Sequence, residues 1–320
     1  MNKTFNILLS VVGLTLFLGL LPSCGGGKPK SNYVNKASKY FAADESLSPI
    51  IDEELDIFHF RTHRDSIYPM YISEQEAMDK LMNQEVWLTF TTRQLTENEK
   101  TILKEKNYTP KVYALAYDAL ALIINKDNPD SLITVDQFVK ILTGEITEWK
   151  QIYPESKLKN IRMTFDNPRS SAVRFCVDSI LHGREFKTDG NVKAVQTSAE
   201  VVADVEKYPN SIGIVGSIWL NDQRDTTNLT YRRNIKVMRV SRAETATVAN
   251  SYDPSQWNIA YNYYPFIRTI YSICIDPFTN SVPRAFANFC WLPEPGQRIF
   301  FNAGLFPARA DYSVREVVVD

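Results

Sequence analysis

The apolar positions of this chain change period several times, and each change marks an element. Ile50, Ile51, Leu55 and Phe58 recur at helical spacing behind Pro49, which suits a first helical position after the turn Asp44-Glu45-Ser46-Leu47-Ser48. Residues 67–72 read as a short strand, 74–83 as a helix and 86–90 as a strand. Thr91-Thr92-Arg93-Gln94-Leu95 makes a turn, and Thr96 with Glu99 supplies a capping box for a helix ending near Asn107. Residues 112–125 form a long apolar run interrupted by Asp118. Thr134 caps a helix with Phe138, Ile141 and Leu142 on one side, and Gly144 closes it. Residues 161–165, 192–196, 212–215 and 235–240 read as strands. Residues 170–181 read as a helix, and Ser198 as the cap of another over 200–207. Two terminal helices are expected over 283–291 and 296–302. Strands alternating with helices of about ten residues predict an α/β fold with mostly parallel sheets.

The first residues follow a different pattern. Lys3 precedes an apolar run over 7–21, and Leu21-Pro22-Ser23-Cys24 follows it. At about 15 residues the run is short of a bilayer span, so it reads as a lipoprotein signal peptide over 1–23 with Cys24 as the lipidated first residue. A flexible tether over 24–40 begins with Gly25-Gly26-Gly27. With 36 Lys+Arg against 37 Asp+Glu among 320 residues, nothing suggests nucleic acid, and no later segment reads as a membrane span. Cys176, Cys274 and Cys290 remain in the mature chain. Buried thiols are the simplest reading, with a Cys274–Cys290 pair open in an oxidising compartment.

Asp118-Ala119-Leu120-Ala121-Leu122-Ile123-Ile124-Asn125 is followed by Leu142-Thr143-Gly144-Glu145-Ile146-Thr147-Glu148-Trp149. Phe165-Asp166-Asn167-Pro168-Arg169-Ser170-Ser171-Ala172, then Pro209-Asn210-Ser211-Ile212-Gly213 and Tyr264-Pro265-Phe266-Ile267-Arg268, keep order and spacing behind them. Together these resemble the phosphate-binding proteins of ABC transporters (PstS-like), in their divergent Bacteroidetes-type lipoprotein branch. The resemblance implies a type II periplasmic-binding-protein fold, with two lobes joined by a two-segment hinge. It places one lobe at 41–116 with 261–320, the other at 117–260, and the crossings near Tyr117 and Ala260. It further implies a monomer that captures an inorganic oxyanion, first of all phosphate, for an ABC permease. The expected location is the cell envelope, facing the periplasm, with the membrane met through the lipid alone.

An oxyanion needs converging donors, and helix starts supply unpaired N–H groups at the positive end of the dipole. Ser46, Thr91, Thr92, Ser170 and Ser171 stand at such starts at the family's ligand positions, and Arg93 and Arg174 offer charge-assisted bonds. The chain departs from the family where Thr91-Thr92 replaces a Ser-Asp pair and where Asp166 sits near the place of an Arg. A second reading follows from those departures: an envelope interaction or scaffold module that has lost the anion site. His59 and His63 have helical spacing for a metal but no supporting Glu, so no metal is expected. No cofactor or catalytic motif is present either, and the chain does not read as an enzyme.

Overall fold

The computed structural model describes residues 36–62, 66–188, 191–221 and 232–309. The signal peptide, Cys24, most of the expected tether and His63 lie outside the described residues. Within the expected tether, α1 (Lys36–Lys39) already forms a helical turn and buries Ala37.

The strands of the first lobe are β1 (Tyr40–Asp44), β2 (Tyr68–Ile72) and β3 (Leu88–Thr91), carried with α2 (Ser48–Thr62), α3 (Glu74–Met82) and α4 (Glu97–Glu105). The long strand β4 (Lys111–Asn125) crosses to the second lobe, which holds β5 (Leu132–Thr134), α5 (Val135–Leu142), β6 (Arg162–Phe165), α6 (Ser171–Phe175) and β7 (Val192–Ala194). There follow α7 (Ser198–Lys207), β8 (Ser211–Gly216), β9 (Ile235–Val237), β10 (Arg239–Ser241) and α8 (Gln256–Ala260). Then β11 (Ile267–Cys274) crosses back, followed by α9 (Val282–Trp291), α10 (Arg298–Asn302) and β12 (Phe306–Pro307).

The main sheet runs β2-β1-β3-β11-β4-β8-β6-β7 and curls into two lobes. Its flanks, β1 with β2 and β3 and β6 with β7 and β8, are parallel as expected. The sheet as a whole is mixed, because the crossing strands β4 and β11 run antiparallel to each other and to their outer neighbours. A chain that leaves one lobe and returns must cross once in each direction, and that forces the antiparallel centre. Both faces of the flanks are covered, so β1 is apolar on both sides: Phe41 and Ala43 face α2 and α9, while Ala42 faces α3.

Most boundaries shift by a residue or two, and three differences carry physical content. The expected strand over 235–240 splits: β9 pairs with β4, Met238 N–H donates to the Leu122 carbonyl, and β10 joins β5 in a separate two-stranded sheet. The helix after Ser170 widens past Phe175 into a π turn over Cys176–Ile180, and Leu181 N–H donates to the Cys176 carbonyl at 2.9 Å. Thr197, not Ser198, caps α7 by accepting from Glu200 N–H, which frees the Ser198 hydroxyl for another partner. Cys176, Cys274 and Cys290 are free and buried. Gly144 does end α5, at φ +76°, in the left-handed region that favours glycine.

Candidate functional site

Two clusters of buried polar side chains lie where the lobes meet. Arg268 of β11 and Asp118 of β4 are direct cross-strand partners, and each is almost fully buried. Arg268 Nε donates to Asp118 Oδ2 at 2.8 Å, its Nη1 to Ser171 Oγ at 2.8 Å and its Nη2 to Ser46 Oγ at 3.1 Å. The other Asp118 oxygen accepts from the N–H and hydroxyl of Ser217. One guanidinium fork therefore gathers a serine from each lobe, a geometry that a lysine's point charge does not reproduce. Gly216 permits this packing. A Cβ there would stand 2.7 Å from Arg268 Nη2 and 3.2 Å from Asp118 Oδ2.

Asp44 closes the cluster. Its Oδ1 accepts from Ser46 N–H at 2.8 Å and its Oδ2 from Ser171 N–H at 3.2 Å. Burial, with Glu74 as a second negative neighbour, pushes the Asp44 carboxyl above its ordinary range. Burial acts against the charge on Arg268, yet Asp118 and Asp44 hold the guanidinium above its usual range.

The second cluster centres on Glu74, the first residue of α3. Its Oε1 accepts from Thr91 Oγ1 at 2.7 Å, Thr92 N–H at 2.7 Å and Thr92 Oγ1 at 2.8 Å. Its Oε2 accepts from Arg174 Nε in α6. Arg174 Nη2 also donates to Thr92 Oγ1 at 2.9 Å and to the Thr92 carbonyl at 3.2 Å. Burial raises the carboxyl, but Arg174 and the threonine donors outweigh it and hold Glu74 below its ordinary range. Beside these clusters, Glu45 Oε2 accepts from Ser198 N–H and hydroxyl at 3.0 and 2.8 Å.

The structure thus brings Thr91, Thr92 and Arg174 together, and Ser46 with Ser171, as the sequence suggested. Arg93 lies apart: it makes a bidentate pair with Glu99, 2.8 and 2.7 Å, because the Thr96–Glu99 capping box has placed that carboxylate beside the turn. The Ser170 hydroxyl caps α6 by accepting from Val173 N–H. Of the two histidines at helical spacing, His59 Nε2 accepts from Ile67 N–H at 3.5 Å.

Sequence reasoning missed Arg268, Asp118, Asp44 and Glu74 as site residues. The positive charge expected near position 166 arrives instead from β11. Asp166 itself is buried, and burial beside Asp44 pushes its carboxyl up to about 8. Its folded value stands above the ordinary 3.8, so its contribution to stability is complete below about pH 4 and lost as pH rises to about 8. Asp166→Asn removes that dependence. The stability difference between variant and wild type should change between pH 4 and 8, read by thermal unfolding, and a constant difference would refute the assignment.

A family model described as a PBP superfamily domain matches residues 37–294. The chain is 23% identical over 263 residues to the "Phosphate-binding protein PstS" of Borreliella burgdorferi, covering 81% of this chain and 86% of that protein. A Clostridium perfringens protein crystallised with bound phosphate shares the fold at TM-score 0.68 and 19% identity, over 84% of this chain and 99% of that one. An ABC-type phosphate transport receptor from Vibrio cholerae does so at TM-score 0.60 and 18% identity, over 84% and 98%.

Proposed function

The chain belongs to the PBP superfamily domain family, and from that premise we propose that it is a lipid-anchored solute-binding protein for an inorganic oxyanion, phosphate first, serving an ABC permease. In this reading residues 41–116 with 261–320 form one lobe and 117–260 the other. Cys24 carries the lipid at the envelope membrane, and the protein acts as a monomer without covalent chemistry. One observation carries the proposal: Thr91, Thr92 and Arg174, drawn from both lobes, already converge on an oxyanion, the carboxylate of Glu74. The same donors suit a tetrahedral oxyanion, and the fork of Arg268 with Ser46 and Ser171 adds a second positive locus beside Asp44. Kinship with a phosphate-binding protein supports phosphate as the first oxyanion to test.

Titration calorimetry of the mature protein with phosphate, sulfate and molybdate tests this. Phosphate should give saturable heat, and silence with all three at millimolar concentration would sink it.

A second reading draws on a specific observation: Glu74, Asp44 and Glu45 occupy the donors of this junction. A protein so filled would keep the fold as an envelope interaction module and carry no solute. A gene located beside a permease and an ATPase would speak for transport, one beside envelope-assembly genes for the module.

A further inference from the structure

Glu74 is 1% exposed and accepts four hydrogen bonds. An acidic residue in a first helical turn ordinarily sits at the surface and complements the dipole. This one instead spans the junction, with the threonine donors on the β3 side and Arg174 on α6. We infer that Glu74 is the resident occupant of an oxyanion cradle. It is a tethered surrogate ligand that holds the lobes together without solute, and an incoming anion must displace it. The inference deepens the oxyanion reading, because it names the residue that decides which solutes enter.

The physical argument rests on like replacing like. Buried donors left without an acceptor are costly, and Thr91 and Thr92 are buried; Arg174 is a quarter exposed and also faces Asp178 at 3.6 Å, so a closed junction around the three favours an anion at the threonines. In a binding protein the solute supplies it. Here the chain supplies it, and the tether gives the carboxylate a high effective concentration that a free anion must overcome. A monoanion exchanges charge for equal charge and gains nothing. A dianionic tetrahedral oxyanion brings a second charge and further acceptor oxygens to the same donors, so it competes best. The depressed Glu74 carboxyl agrees with an occupant that stays ionised at neutral pH. Asp44 on Ser171 N–H and Glu45 on Ser198 make two further cross-lobe carboxylate contacts, and Arg169 adds a pair with Asp79 at 2.8 Å.

Small-angle scattering on the mature protein, stripped of phosphate, is the test. Wild type should stay compact and change little with added anion. Glu74→Ala should show a larger radius of gyration, and added formate, a free carboxylate, should restore the compact value. Its affinity for inorganic phosphate should exceed that of wild type by about tenfold or more. Arg174→Gln, which keeps Glu74 but removes its cross-lobe partner, should also open, without rescue by formate. Circular dichroism checks that each variant folds. A Glu74→Ala protein as compact as wild type, with unchanged phosphate affinity, overturns the inference, and so does a solute-free wild type that is already open. Formate rescue with no phosphate binding by either protein would support the surrogate and end the phosphate reading, so the two claims fail separately.

Discussion

Replacing Arg268 by alanine should lower the unfolding free energy by about 3–5 kcal/mol, the usual cost of stranding one member of a buried ion pair. Asp118 would remain fully buried without its cation, and the hydroxyls of Ser46 and Ser171 would lose their common donor. The cost is of stranding and not of the pair as such, so Arg268→Leu with Asp118→Leu should recover most of the loss. Urea unfolding followed by circular dichroism reads all three proteins. A single variant with an unshifted midpoint would mean that water reaches Asp118, contrary to the packing described.

The opposite sign is expected at Glu54. This residue is fully buried on the face of α2 that carries Ile50, Ile51, Leu55 and Phe58, and no nitrogen or oxygen donor reaches either carboxyl oxygen. Burial pushes its carboxyl well above the ordinary 4.5, with Glu53 adding to the shift and the Cys290 thiol, a weak donor, only softening it. The folded protein therefore favours the protonated form. Its contribution is intact below about pH 4.5 and lost as the pH climbs through the raised value. Glu54→Leu should stabilise by about 1–3 kcal/mol at pH 8, since it removes an unsatisfied buried polar group. The gain should shrink toward pH 4. Urea midpoints at the two pH values check this, and an equal gain at both, or a loss, would refute it.

Local chemistry made much of the fold legible. The Thr96–Glu99 box, the Thr134 cap and the Gly144 stop lie where the sequence puts them, because capping depends on neighbours three or four residues away. The two lobes came from ordered motifs and their resemblance, while the antiparallel centre depends on pairings between distant strands. In the candidate site, Ser46, Thr91, Thr92 and Ser171 were suggested as hydroxyls at helix starts, and Arg174 as a cation one turn into its helix. Arg268 and Asp118 left a signal that periodicity alone underrates. Asp118 is the one acidic residue of β4 and Arg268 the one charged residue of β11, and opposite signs on two such crossing strands invite pairing. Glu74 left none, because an acidic residue after the Ser73 cap already has a local explanation at the helix start. Only tertiary packing turns it toward Thr92 and Arg174. Arg93 shows the converse, since a local carboxylate, Glu99, takes its guanidinium in this structure.

The β4–β11 ladder carries one irregularity. Its register shifts between Ile270, opposite Ala116, and Tyr271, opposite Ala114, which leaves Leu115 without a partner on β11. The Leu115 carbonyl is met by Ala308 N–H at 2.9 Å, and β12 pairs with Tyr117 and Ala116 alongside. The crossing is thus finished by residues made almost two hundred positions after it begins. During synthesis β4 must wait, first for β11 and then for 306–308, before its hydrogen bonds are complete. Contacts of such long sequence separation slow folding. The segment that completes the crossing is among the last of the described residues to emerge.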